Sequence, residues 1–229
     1  MLGILVELLI SWAILYWYNR KGLSPLGLVP TAARLRLFIF FLLVAAFCAV
    51  SRYLVRLYFG KEVWELNPDL NARLVWEGIS WNINSVLYEE LIFRGAIFYV
   101  IWDKLGANKA ILISAIAFGI YHWFSMEVLG MPVQMTIIFL ATSLAGLVYG
   151  YAFVRTKTML VPIAMHFGWN FIGNFVFSEG SIGKGILVMT AQPIVNVSIF
   201  IYYLAVWNPM VMFYLVNFFI LRKINKKDI

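Results

Sequence analysis

From Leu2 to Leu221 the chain is a succession of apolar runs with only short polar interruptions, and this more than any other feature limits what it can fold into. Hydrophobic residues make up 63% and charged residues 13% of the 229, against about 45–50% and about 25% in soluble domains. Mean hydropathy is +0.86. Water cannot solvate most of such a surface, which excludes soluble, disordered and fibrous classes. The net charge of +7 does not point to nucleic acid, because the basic residues lie between apolar runs and form no stripe. The single Cys48 excludes a disulfide framework and a cysteine metal site. The expectation is an all-α polytopic transmembrane helix bundle, one integral membrane domain over residues 1–229.

A crossing needs about 20 mostly apolar residues. Candidate spans are Leu2–Tyr18, Leu35–Val50, Ile79–Ile101, Lys109–Phe124, Pro132–Val154 and Thr158–Phe177. The last apolar run, Ile186–Leu221, contains Pro193, Asn196, Asn208 and Pro209 and reads as two short spans or one broken one. The first run has no basic residue before it, contains Glu7 and lacks a small-residue cleavage site, so it reads as a retained span rather than a signal peptide. With the N-terminus outside and the C-terminus inside, twelve Lys and Arg fall in inner segments and five in outer ones, Lys226 and Lys227 of the tail included. That bias favours about seven crossings within a range of six to eight. The charged stretch Ser51–Gly78, with Tyr53, Tyr58, Trp64 and Trp76, reads either as an interfacial amphipathic segment or as a solvated loop with aromatic anchors.

Ionisable and amide side chains inside spans are costly and by default mark function. Three sites hold them: Glu89, Glu90 and Arg94 in the third span, Phe118 and His122 in the fourth, and His166, Asn170 and Asn174 in the sixth. Both histidines of the protein are among them. At 100° per residue Arg94 lies about 40° from Glu90 but about 140° from Glu89. Glu90 and Arg94 are therefore the i,i+4 pair, a structural clamp. Glu89 shares a different face with Asn82 and has no cation on its own helix, which makes it the candidate general base. His166, Asn170 and Asn174 recur at i, i+4 and i+8 on one narrow face. Histidine and asparagine donors aimed at a carbonyl would build an oxyanion site. Asn82, Phe118 and Asn174 are candidates for the cavity wall. Each group also has a structural reading, His122 as an interfacial residue and His166 and Asn170 as bonds across helices. Their joint occurrence favours chemistry.

In their order and spacing, Glu89-Glu90-x-x-x-Arg94, Phe118-x-x-x-His122 and His166-x-x-x-Asn170 resemble the motifs of the CAAX protease and bacteriocin-processing (CPBP, or Abi) family of intramembrane proteases. The resemblance covers roughly Tyr88 to Asn174, within an expected catalytic core of about 79–177. It implies a peptide-bond hydrolase, type II CAAX prenyl endopeptidase-like, in which Glu89 and His122 activate water and His166 and Asn170 stabilise the tetrahedral oxyanion. It further implies a membrane-lipid environment, that of a prokaryotic cell, and a lipidated (prenylated) or membrane-associated peptide as substrate.

No cofactor is expected. Zinc held by Glu89, His122 and His166 is the alternative, since two histidines and a glutamate can make a catalytic site. Against it, no His-Glu-x-x-His helix is present and each histidine stands on its own span. Two other functions compete. A non-catalytic immunity or scaffold protein would keep the fold, and a proton-coupled transporter would also bury Glu and His but more often shows an internal repeat, which the sequence lacks.

Overall fold

A computed structural model describes residues 2–179, 183–192 and 198–224. Among them eight α-helices and two short strands follow in the order α1 (Leu2–Asn19), α2 (Ala32–Gly60), β1 (Val63–Leu66), α3 (Ala72–Arg94), α4 (Ala96–Leu105), α5 (Ala107–Ser125), α6 (Pro132–Thr156), α7 (Leu160–Phe171), β2 (Leu187–Ala191) and α8 (Ile199–Lys223). The chain is an integral membrane protein of predominantly helical fold. Four helices (α1, α2, α6 and α8) are long and apolar enough to cross a bilayer. Six to eight crossings were expected, so the apolar criterion accounts for only part of that number.

The chain divides into two compact units. The first comprises Met1–Phe38, Leu87–Ile163 and Phe218–Ile229. Its main packing is between α5 and α6, where Gly146 lets the backbones approach: a Cβ there would lie 3.0 Å from the Ala115 Cα. Tyr18 at the end of α1 donates to Asp103 of α4 at 2.7 Å. The turn before α7 is held by Thr158, whose hydroxyl donates to the Gly27 carbonyl at 2.7 Å. Gly27 has φ +63°, and a side chain on it would strike Thr158. Arg155 donates to the carbonyls of Leu221, Arg222 and Ile224 at the end of α8. Those are carbonyls a helix terminus leaves unpaired.

The second unit comprises Ile39–Val86 and Ala164–Asn217. Here β1 pairs antiparallel with β2, Trp64 opposite Met189 and Leu66 opposite Leu187. Asn67 extends the pairing by donating its amide to the Gly185 carbonyl at 2.9 Å. In α7 Gly168 packs against α2: a Cβ would lie 2.5 Å from the Leu42 carbonyl oxygen. After Phe171 the helix widens into a π turn, Ile172–Val176.

Four sequence expectations change. The third span is not one helix, because α3 ends at Arg94 and α4 restarts after Gly95. The stretch Ser51–Gly78 is neither an interfacial helix nor a loop throughout: α2 runs on to Gly60, β1 follows, and α3 begins at Ala72. The run Ile186–Leu221 is not two spans. It begins as a strand, and α8 then continues through Asn208 and Pro209 as a single helix. A short apolar run reads alike as strand or helix, which is why the strand was missed. Pro193, Asn196, Lys226 and Lys227 lie outside the described residues. Finally, α7 is only 12 residues before its π turn.

Gly168→Ala should lower the thermal midpoint of the detergent-solubilised protein by several degrees, since overpacking against a backbone carbonyl costs about 1–3 kcal/mol. Gly173→Ala should be close to neutral, because its Cβ would meet only the Tyr53 hydroxyl at 3.6 Å. Equal midpoints for both variants would contradict this packing.

Candidate active site

In the first unit the third-span carboxylates separate as helical geometry requires. Glu90 faces Arg94, Oε1 to Nη1 at 3.2 Å, and both side chains are fully buried. Arg94 also donates from Nη2 to the Gly146 carbonyl at 3.4 Å. Its guanidinium carbon lies 4.4 Å from the Phe118 ring centroid and 5.1 Å from that of Tyr149. The cation is therefore held by one carboxylate, one carbonyl and aromatic faces. Phe118, expected on a cavity wall, is buried and also touches the His122 ring edge-on at 4.4 Å.

Glu89 turns instead toward α5. Its Oε2 lies 3.8 Å from Nε2 of His122, and both residues are less than one-tenth exposed. The other ring nitrogen, Nδ1, is 2.8 Å from the Phe118 carbonyl one turn back. A carbonyl only accepts, so Nδ1 carries a hydrogen, and in the neutral form of the ring Nε2 then presents its lone pair on the side of Glu89. His122 is thus buried within the protein. It is oriented by its own helix.

The second unit holds the other amides. His166 is buried in α7. Asn170 and Asn174 line one cleft of about 450 Å³ together with Trp169, Gly173, Arg52, Tyr53 and Glu179. Asn174 sits in the π turn rather than on the α-helical face expected for it, yet it borders the same cleft as Asn170. Its side-chain amide donates to Asn82 at 3.4 Å. Asn82 is fully buried and donates to the Gly78 carbonyl at 2.8 Å.

The sequence reading missed a charged cluster beside this cleft. Tyr53 donates to Glu179 at 2.9 Å, Arg56 bonds both Glu62 and Glu179, and Arg52 lies 3.7 Å from Glu179. The Tyr53 ring stacks on Phe177 at 3.7 Å. In the sequence these arginines fall in the charged stretch Ser51–Gly78, among the basic residues of the outer segments. The available signal was Arg52 and Arg56 at i,i+4, flanked by Leu54, Val55 and Leu57 that keep the helical apolar pattern going.

Among the described residues no three His, Cys, Asp or Glu side chains gather closely enough to hold a metal ion. Glu89 and His122 offer one oxygen and one nitrogen, where a catalytic zinc takes three protein ligands.

Residues 71–172 match the family model Rce1-like, described as type II CAAX prenyl endopeptidase Rce1-like. The matched segment contains all three motifs, Glu89 to Asn170. No curated protein and no solved structure matches the chain.

Breaking the buried pair should be expensive. Glu90→Gln leaves Arg94 as a buried cation without its carboxylate and should destabilise by about 3–5 kcal/mol. Glu89→Gln should cost a small part of that. Thermal unfolding of the two purified variants decides the matter: equal losses would contradict the division between clamp and chemistry.

Proposed function

The chain belongs to the CAAX intramembrane protease family through residues 71–172, and from that premise we propose that it is an endopeptidase that hydrolyses a peptide bond near the C-terminus of a lipidated, membrane-associated peptide. The observation that carries the proposal is the buried Glu89–His122 pair, with Nδ1 of the histidine tied to a carbonyl and Nε2 aimed at the carboxylate. A carboxylate and a neutral imidazole in this relation can share the proton of an attacking water.

In the proposed reaction a water oxygen attacks the scissile carbonyl carbon while its proton passes to Glu89, directly or through Nε2 of His122. The carbonyl oxygen becomes an oxyanion, to which His166 and Asn170 are assigned as donors. Collapse of the intermediate breaks the C–N bond. The proton held by Glu89 or His122 goes to the departing amine. Glu90 and Arg94 take no part in proton transfer; they hold α3 so that Glu89 keeps its direction. The scheme assigns no step to a metal. The Lys and Arg bias supports an N-terminus outside and a C-terminus inside.

Glu89→Gln should lower the turnover of an S-farnesylated peptide by about 10²–10⁴, the usual effect of removing a positioned base. Asn170→Ala should lower it by about 10²–10³ with little change in KM, as the loss of an oxyanion donor does. Activity should survive exhaustive chelation. A fully active Glu89→Gln enzyme would refute the assignment, and inactivation by chelator reversed by added zinc would move Glu89 from base to ligand.

A further inference from the structure

The charged cluster of the second unit contains one cation more than its hydrogen bonds employ. Glu62 accepts from Nε of Arg56 at 2.9 Å and from the Trp64 indole N–H at 3.1 Å, using both carboxylate oxygens. Glu179 accepts from Nη1 of Arg56 and from the Tyr53 hydroxyl, again using both oxygens. The two carboxylates are satisfied without Arg52, which makes no hydrogen bond among the described residues and approaches Glu179 only to 3.7 Å. Its side chain is 46% exposed and borders the same cleft as Asn170 and Asn174.

A guanidinium presents a planar fork of donors that matches a carboxylate bidentately. Arg56 spends its fork on Glu62 and Glu179, whereas Arg52 borders a cleft lined also by Asn170, Asn174, Trp169, Tyr53 and Glu179, the last with both oxygens already engaged by Arg56 and Tyr53. A CAAX sequence is the C-terminus of its protein, so the last residue of such a substrate carries a free α-carboxylate. Three extended residues span at most about 10–11 Å, which a cleft of about 450 Å³ accommodates. We infer that Arg52 binds the C-terminal α-carboxylate of the peptide substrate, making this cleft the subsite for the residues beyond the scissile bond and selecting free C-termini over internal sequence. The inference rests on the protease reading of the preceding section.

Binding, rather than cleavage, tests it. The full-length Glu89→Gln protein in phosphatidylcholine nanodiscs is titrated with an S-farnesyl heptapeptide bearing either a free C-terminal carboxylate or a C-terminal amide. The free acid should bind about 10- to 100-fold more tightly, the range for a hydrogen-bonded charge pair. Adding Arg52→Gln should abolish the difference by weakening the acid alone, and Arg52→Lys should restore part of it, since charge returns without the fork. A purely structural role for Arg52 would weaken acid and amide equally, and that result would overturn the inference. Equal binding of acid and amide to the parent protein would overturn it too, with the peptidase reading left standing. Failure of both peptides to bind would overturn the substrate reading, and the role of Arg52 with it. An Arg52 effect that appears only when anionic phosphatidylglycerol is added would assign the guanidinium to a lipid headgroup instead.

Discussion

A fully desolvated ion pair at the end of α3 sets the terms for the rest of the first unit. Removing a carboxylate and a guanidinium from solvent costs several kcal/mol per ion, recovered only where geometry and further hydrogen bonds are good. Here the compensation comes from three other helices or turns of helix: Glu90 one turn back on α3, the Gly146 carbonyl and Tyr149 ring on α6, and the Phe118 ring on α5. Each is needed where it is. Gly146 is an instance, since a Cβ there would lie 3.3 Å from Nη2 of Arg94 and 3.0 Å from the Ala115 Cα. Any larger residue would push against the guanidinium and α5 together. Once Glu90 is committed to Arg94, the helical step of 100° leaves Glu89 no choice but another face, and that face meets His122. Phe118 joins the two functions, packing on Arg94 with its ring and accepting from His122 with its carbonyl.

What could be read in advance was what local geometry dictates. The Glu90–Arg94 pairing, the divergence of Glu89 and the alignment of Asn170 with His166 depend only on the rotation per residue of one helix, and the first two appear in the structure as expected. What escaped depends on partners distant in sequence. Tyr53 and Glu179 are 126 residues apart, and the strands that pair beside them come from the two separate sequence segments of the second unit. Arg52 and Arg56 looked like the end of a span because two cations in an apolar run normally stop it. Arg56 is tolerated because two carboxylates from elsewhere in the chain come to it. The break at Gly95 escaped as well, because the apolar residues on either side of it keep a helical pattern that gives no hint of interruption.

The motif residues are distributed with a regularity that bears on the discrepancy in span number. All lie on α3, α5 and α7, and none lies on α1, α2, α6 or α8, the four helices that satisfy the length and apolarity of a crossing. A helix facing lipid must be apolar around most of its circumference and near 30 Å long. On α1 only Ile4, Ser11 and Leu15 are buried, so the rest of its surface must itself be compatible with hydrocarbon. In α7, by contrast, no residue is exposed. A helix enclosed by protein escapes both requirements. It can carry His166 and Asn170, stop after about 18 Å, and relax into a π turn. Such irregular backbone at membrane depth is permitted only where protein or a polar cavity surrounds it. Hydropathy therefore finds the helices that anchor the chain and passes over those that bear the chemistry, for one physical reason: the side chains that make a helix useful for hydrolysis are those that hydrocarbon cannot solvate.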